Sequence, residues 1–527
     1  MGCVMAGVIT TSLANETIVN VKETGAVGDG VTDDSKAIQK AVRAINKNKS
    51  GSIFFPKGTY LYKSKGPAMV FHGVSDTTVK FAPDAVLLID NLKSSGHGNG
   101  HGLIFKDAGK NIKLENVTVQ WKSKPKFRSY GDGIRFDGYP SDAKTISNLS
   151  MINCRVINSP QAGAIFHGCS DVTVKDFRPE DTMADGLHFN ACRRVTVNGV
   201  KGRNNGDDTV AFVTYYHPTK VGAYRESFPP YNQPSIGAWS NTGSIASNIS
   251  VNGGRANGVR VSGGNNISIE NISVTGKGFA GMQIDAAKKT EENRAVGWSY
   301  LASRDIKVKN LNVTDCPIGF IVRTLNIKPD DPEYMWRHKV SLNGLSVSNC
   351  RKGLELLDSG DIEIDGASSN AVISLRNARG KYNLKNINIK DANLCIDGVQ
   401  GKDFQGWKSN REPKPFVTIK DLSNLVDKEI TIDNLKITKG MLRISDCAGV
   451  KINNLTIKDP SQYALGLYKS RNCVFDNVKI ASKTVPLHIS NVSNITLSNC
   501  IYGPAKHLML AGEKERKAVV LKNVKND

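Results

Sequence analysis

The chain of 527 residues has little that reads as helix. Apolar residues alternate with polar ones over short runs, and only one stretch carries a 3.6-residue period. No apolar run is long enough to span a bilayer, which needs about 20 residues. No Pro- or Ser-rich linker divides the chain, so it reads as a single domain. Ten cysteines include no C-x-x-C pair, which removes the usual zinc and redox spacings. Acidic residues are outnumbered, 49 against 70 Lys plus Arg, for a net charge of +21. The basic residues are scattered rather than clustered, and no nucleic-acid-binding module is recognisable, so nucleic acid is not the expected partner. What remains is a solubilising surface or one that attracts another polyanion, such as an acidic polysaccharide.

What is present is a repeat. Asp185-Gly186-Leu187-His188-Phe189 and Asp208-Thr209-Val210-Ala211-Phe212 align at a spacing of 23 residues. The same pattern of a small residue followed by alternating apolar ones recurs at Asp132–Phe136, Ala162–Phe166, Asn257–Val261, Ala280–Ile284, Ile318–Val322 and Gly440–Ile444. A second short strand lies between these, as in Val172-Thr173-Val174 and Val195-Thr196-Val197. A two-residue alternation is that of a half-buried strand, and a 20–50-residue period is that of a solenoid. The expected fold is all-β, a right-handed parallel β-helix in which equivalent residues stack about 4.8 Å apart. A solenoid lengthens without needing new cores, so one domain over 15–527 is consistent with the length.

The helical stretch, Lys36–Ile45, puts Ala37, Ile38, Ala41, Val42 and Ile45 on one face. Asp33 or Asp34 is placed to cap its start. An open β-helix end needs a cover, so this short helix is expected to form an N-terminal cap within about 18–60. Residues 1–14 resemble the back half of a secretory signal, although without a basic leader. A secreted or periplasmic location is expected. Cys169 and Cys192 occupy equivalent positions and are expected to be small buried residues in a ladder rather than a disulfide. The sequons at Asn248 and Asn494 are read as corner asparagines.

Three carboxylates gather on this repeat. Asp207 and Asp208 are consecutive, and Asp185 stacks on Asp208 one coil away. Carboxylates this close repel, and their pKa values separate. A glycosidase uses such a separation, with one carboxyl protonated for the leaving oxygen and another ionised for water. Strict alternation from Leu187 would turn Asp185 inward, so the reading requires a corner just before Gly186. Asp132, also before a glycine, is expected to be a turn residue.

These segments resemble glycoside hydrolase family 28, the polygalacturonase family. Ala184-Asp185-Gly186 is similar to its Asn-Thr-Asp-Gly motif, Gly206-Asp207-Asp208 to its Gly-Asp-Asp, and Arg260-Val261-Ser262 to its Arg-Ile-Lys. Gly25–Asp34 resembles the opening of the wider pectate-lyase-like superfamily, shared with phage tailspike depolymerases. By motif the resemblance covers roughly 18–290. It implies that Asp207 is the general acid, that Asp185 and Asp208 hold and deprotonate water, and that Arg260 binds substrate. It further implies an inverting mechanism, with carboxyls about 6.5–9.5 Å apart. The chain departs from the family in three places. Met183-Ala184 stands where the family has Asn-Thr before the first aspartate. Ser262 stands where the family has Lys, and Ser235–Trp239 stands in place of a Gly-His-Gly motif. Galacturonate specificity therefore does not follow from the motifs.

His188 and Arg135 share the outward register of Arg260 and are expected to contact substrate. His217, Tyr215 and Trp239, in the long segment 214–243, are expected to reach over the site or stack on sugar rings. His97 and His101 in a Gly-rich loop offer a metal-binding alternative. Neither a metal nor a cofactor is expected. The expected activity is hydrolysis of an acidic polysaccharide by a monomer. The rivals are a polysaccharide lyase or uronate epimerase on the same fold, and a tailspike-like trimer that binds carbohydrate.

Overall fold

The computed structural model describes residues 17–215, 240–287, 301–325, 331–398 and 421–527. Among them 37 strands pair parallel in one continuous sheet, which winds into successive coils. In the central coils a short strand such as Leu187–Asn190 lies on one face. A longer one such as Arg193–Asn205 then bends across the remaining faces.

The register is the one the repeat implies. Leu187 pairs with Val210, Phe189 with Phe212, and Val210 with Val259. The outward position between them forms a ladder: Arg135, Ile165, His188, Ala211, Arg260 and Gln283. The ladder continues through Ile321, Glu355, Ser374 and Cys395 to Arg443.

Stacking of like on like builds the core. Phe71, Phe105, Phe136, Phe166, Phe189 and Phe212 form one column of buried rings, with successive centroids 4.5–5.1 Å apart. The interplanar angles are 24° or less, so the rings stack rather than meet edge-on. Cys169 and Cys192 lie one above the other in the interior, and all described cysteines are free thiols.

Corners are made by residues that tolerate a left-handed backbone. Asn116, Asn153, Asp176, Asn248, Asn271 and Asn310 have φ of 55–58°, or 51° for Asn153, at one corner of the coils, and Gly199, with φ of 86°, takes that corner between Asp176 and Asn248. Their side chains bond along the axis, as Asn153 Nδ2 to Asn116 Oδ1 at 2.8 Å and Asn310 Nδ2 to Asn271 Oδ1 at 3.0 Å. Asn and Asp are the non-glycine residues that adopt this conformation most readily. Asn494 is likewise left-handed, with φ of 51°. Both sequon asparagines are thus corner residues.

Helix α1, Ser35–Asn48, buries Ala37, Ile38, Ala41, Val42 and Ile45. It packs against the first strands, Ile18–Asn20, Gly51–Phe55 and Met69–His72, and so covers the N-terminal end of the core. The two candidate caps divide the work. Asp33 accepts from the Ser35 amide at 3.1 Å, while Asp34 turns back to accept from Val27 and Gly28 amides at 2.7 and 3.1 Å.

Phe166 is stacked on both sides by Phe136 and Phe189. Phe166→Ala is expected to destabilise the coils around the site by about 3–5 kcal/mol. Urea unfolding followed by circular dichroism would show the midpoint fall.

Candidate active site

The site is built at a corner that precedes the short strands. In successive coils this corner carries Gly102, Gly133, Gly163, Gly186, Thr209 and Gly258, and Asp185, Asp208 and Asn257 directly precede the last three. Neighbouring corners are tied by Gly163 N to Asp185 O, Gly186 N to Asp208 O and Thr209 N to Asn257 O, at 2.9–3.0 Å. A Cβ at Gly186 would lie 2.6 Å from the Thr209 carbonyl oxygen, so no side chain fits there. The bend breaks the strand alternation. The Asp185 carboxylate therefore reaches the outward side, where its Oδ2 lies 3.2 Å from His188 Nδ1. The corner required by the sequence reading is present.

Asp185, Asp207 and Asp208 converge, with an oxygen of each within 4.8 Å of the others. Their settings differ. Asp208 is buried and accepts from the Asn257 backbone and side-chain nitrogens at 3.1 and 2.7 Å. Asp207 is the most open of the three, with 27% of its side chain exposed, and it accepts from Arg128 Nη1 at 2.5 Å. Asp185 is buried beside His188.

These settings split the carboxyls. Burial, and then the Asp207 charge, push Asp208 up to about 7. Burial and the Asp185 charge also raise Asp207, against the pull of Arg128. Asp185 goes the other way: burial opposes its ionisation, but His188, Arg128 and Arg260 together hold it below the usual carboxylate range. Groups this close titrate as a set. Asp207 and Asp208 are both raised, and the family resemblance gives the acid role to Asp207. The compact arrangement is also tighter than the about 6.5–9.5 Å on which the inverting expectation rested. One coil rise of about 4.8 Å sets the separation of Asp185 from Asp208.

Other predicted site residues fall at different distances from this centre. Arg260 Nη1 is 3.8 Å from Asp208 Oδ2, and its Nε and Nη2 form a two-pronged pair with Asp285 at 3.0 and 2.9 Å. The Tyr215 ring lies parallel to His188 at 6.2 Å between centroids. Arg135 is not at the carboxylates. It lies two coils away, buried between Asp132 and Asp137 at 2.9 Å to each. Asp132 is more than a turn residue, since it is 1% exposed and also holds His101 at 3.2 Å and the Ala162 amide at 3.0 Å. His101 accepts the Asp132 amide on Nδ1 at 3.0 Å, and His97 stacks on Phe127, so the two histidines serve separate contacts. His217 and Trp239 lie outside the described residues.

Three functional candidates escaped the sequence reading. Arg128 comes from the segment between the strands Thr118–Trp121 and Ile134–Asp137. Around it are Lys122, Lys124 and Lys126 and the exposed rings of Phe127 and Tyr130. The interleaving of cations and aromatics was the available signal. Lys277, buried between Gly276 and Gly278, gives Nζ to the Asp207 carbonyl oxygen at 2.8 Å. Burial lowers Lys277 to about 8, although Asp208 and Asp207 pull it back up. It brings a cation to the carboxylates in a chain where Ser262 replaces the expected Lys. Asp285, which holds Arg260 and also accepts from Ser262, carried no motif.

Two family profiles match the chain. The family described as "Rhamnogalacturonase A/epimerase, pectate lyase-like" matches residues 18–207, ending on Asp207. The family described as "Right handed beta helix region" matches 440–511. The fold is a right-handed parallel β-helix. Among curated proteins, this β-helix is 31% identical over 172 residues to plasmin and fibronectin-binding protein A of Streptococcus pneumoniae, covering 32% of the chain and 21% of the relative. It is 28% identical over 216 residues to exopolygalacturonase clone GBGA483 of Arabidopsis thaliana, covering 37% and 44%. The matched stretch is thus less than half the length of either relative. The solved exopolygalacturonase from Thermotoga maritima superposes over 91% of both chains, at 11% identity and a TM-score of 0.36. No helix among the described residues is long and apolar enough to cross a membrane.

Lys277→Met is expected to raise the pKa of Asp208 further above about 7, because it removes a cation that favours ionisation. Carboxyl titration by carbon NMR would show the midpoint move to higher pH.

Proposed function

We propose that this chain is a glycoside hydrolase that cleaves an acidic polysaccharide. The observation that carries the reading is the set of three carboxylates within 4.8 Å, of which one is held ionised and two are raised. That division supplies an acid and a base in one place. Asp207, the most open, is aimed at the departing glycosidic oxygen. Asp208 beside it stores the proton at neutral pH, and Asp185 polarises the attacking water. This differs from the role of Asp208 implied by the family resemblance, where it helps deprotonate water. Arg260, fixed by Asp285, and Arg128 face the same space. Their positive charges suit a uronate carboxylate. Phe127 and Tyr130 offer exposed rings next to Arg128 for the sugar faces. The net charge of +21 draws a polyanion toward all of these. A polymeric substrate does not cross a membrane, so the reading places the protein outside the cytoplasm.

A lyase or epimerase is the second reading. The Asp185–His188 pair with the Tyr215 ring beside it sets a base and a phenol near Arg260. The two readings part in their products. Polygalacturonate and alginate are expected to gain reducing ends without the ultraviolet absorbance of an unsaturated sugar. Absorbance rising with each new end would overturn hydrolysis in favour of elimination. Asp207→Asn and Asp208→Asn are each expected to lower kcat by about 10²–10⁴. Undiminished cleavage in both would remove the carboxylates from the mechanism.

The pH profile of kcat/KM is expected to be bell-shaped. Activity falls above about pH 7, as the raised Asp208 loses its proton, and falls in acid as Asp185 gains one. Reducing-end assays across pH would check both limbs.

A further inference from the structure

The face that carries the carboxylates continues well past them. Seven coils beyond Ala211 its outward ladder reaches Arg443, then Gly466 and His488. At about 4.8 Å per coil, Arg443 is about 34 Å from the carboxylate coil.

An aromatic cluster sits there. Tyr463 meets Tyr468 edge-on at 6.3 Å between centroids and His488 at 5.3 Å. Tyr468 and His488 meet at 5.4 Å, and the Tyr468 hydroxyl lies 2.9 Å from His488 Nδ1. The two tyrosines lie over bare backbone, since a Cβ at Gly466 would come within 2.6 Å of Tyr463 and 2.8 Å of Tyr468. The three rings are half-buried, so part of each ring faces solvent. Of the three rings, His488 occupies the outward ladder itself, and the tyrosines flank it from either side of Gly466.

A cation completes the group. The Arg443 guanidinium lies over Tyr468 at 5.5 Å, and its Nε bonds to Ser445 Oγ at 3.0 Å. Among the described residues that Nε bond is the hydrogen bond its guanidinium makes, and the side chain is exposed. Lys469 and Arg443 both act on Asp446 and favour its ionised form. An aromatic surface already occupied by a guanidinium does not recruit a second cation. It suits a ring with an apolar face and an anionic edge.

We propose that Arg443, Tyr463, Tyr468 and His488 form a second carbohydrate-binding site, which takes a uronate unit of the polysaccharide whose other part lies at the carboxylates. The sugar face rests on the tyrosine rings and its carboxylate meets Arg443. The site shares one continuous face with the carboxylates, so a single extended chain can engage both. Two linked contacts raise the effective concentration of the polymer at the cutting site. The choice of ligand rests on the hydrolase reading above, but binding here does not require catalysis.

The test uses the full chain carrying Asp207→Asn and Asp208→Asn, so that turnover does not interfere. Polygalacturonate, alginate and a neutral glucan are titrated by calorimetry. An acidic polymer is expected to bind, and the further changes Tyr463→Ala with Tyr468→Ala are expected to weaken it about tenfold or more. Arg443→Gln, on an exposed side chain, is expected to weaken acidic polymers and leave the neutral glucan unaffected. It also decides the matter if the tyrosine variant unfolds. Unchanged polymer affinity in Arg443→Gln and in a folded tyrosine variant would overturn the distal site, as would preference for the neutral glucan. Neither result bears on whether the carboxylates cleave, which the reducing-end assay reads separately.

Discussion

The parallel register of one coil on the next governs everything else here. Hydrogen bonds between coils hold each residue over its equivalent at about 4.8 Å, so chemical likeness is stacked on likeness. For Phe189 on Phe212 this is favourable, because ring stacks on ring in the core. For Asp185 on Asp208 the same geometry is costly, because two carboxylates are held closer than they would settle in water. The fold tolerates the second because the first is repeated many times around it.

That cost is offset by cations brought in from other coils. Arg128, Arg260 and Lys277 belong to three different levels of the helix, yet all act on the carboxylates. The compensation is incomplete, and Asp208 remains raised. A polyanionic ligand would add charge to this balance and a departing proton would relieve it. The site is therefore electrostatically responsive to what occupies it, in the way expected of a catalytic centre.

The coils were legible in the sequence because their period is short and strict. Leu187 over Val210 and Phe189 over Phe212 follow from counting 23 residues. The αL corners follow from Asn and Asp at fixed offsets. The three aspartates could be placed together for the same reason. Arg128 and Lys277 could not, because each reaches the site by the length of its side chain across a corner, and no repeat position records that reach. The partners of Arg135 were hidden for a related reason. It shares the register of His188, but register fixes only the side of the sheet, and two coils of separation leave it with Asp132 and Asp137 instead.

The level from which each partner comes has a bearing on how the protein is made. A chain synthesised from its N-terminus winds Arg128 into place first, then Asp185, then Asp207 and Asp208, and only later Lys277 and Asp285. Until the coil that begins at Ala280 has closed, Arg260 lacks the partner that fixes it. Nascent chains that have already wound the carboxylates therefore carry an unfinished charge balance, and competence arrives late, as a property of the growing stack rather than of the motif.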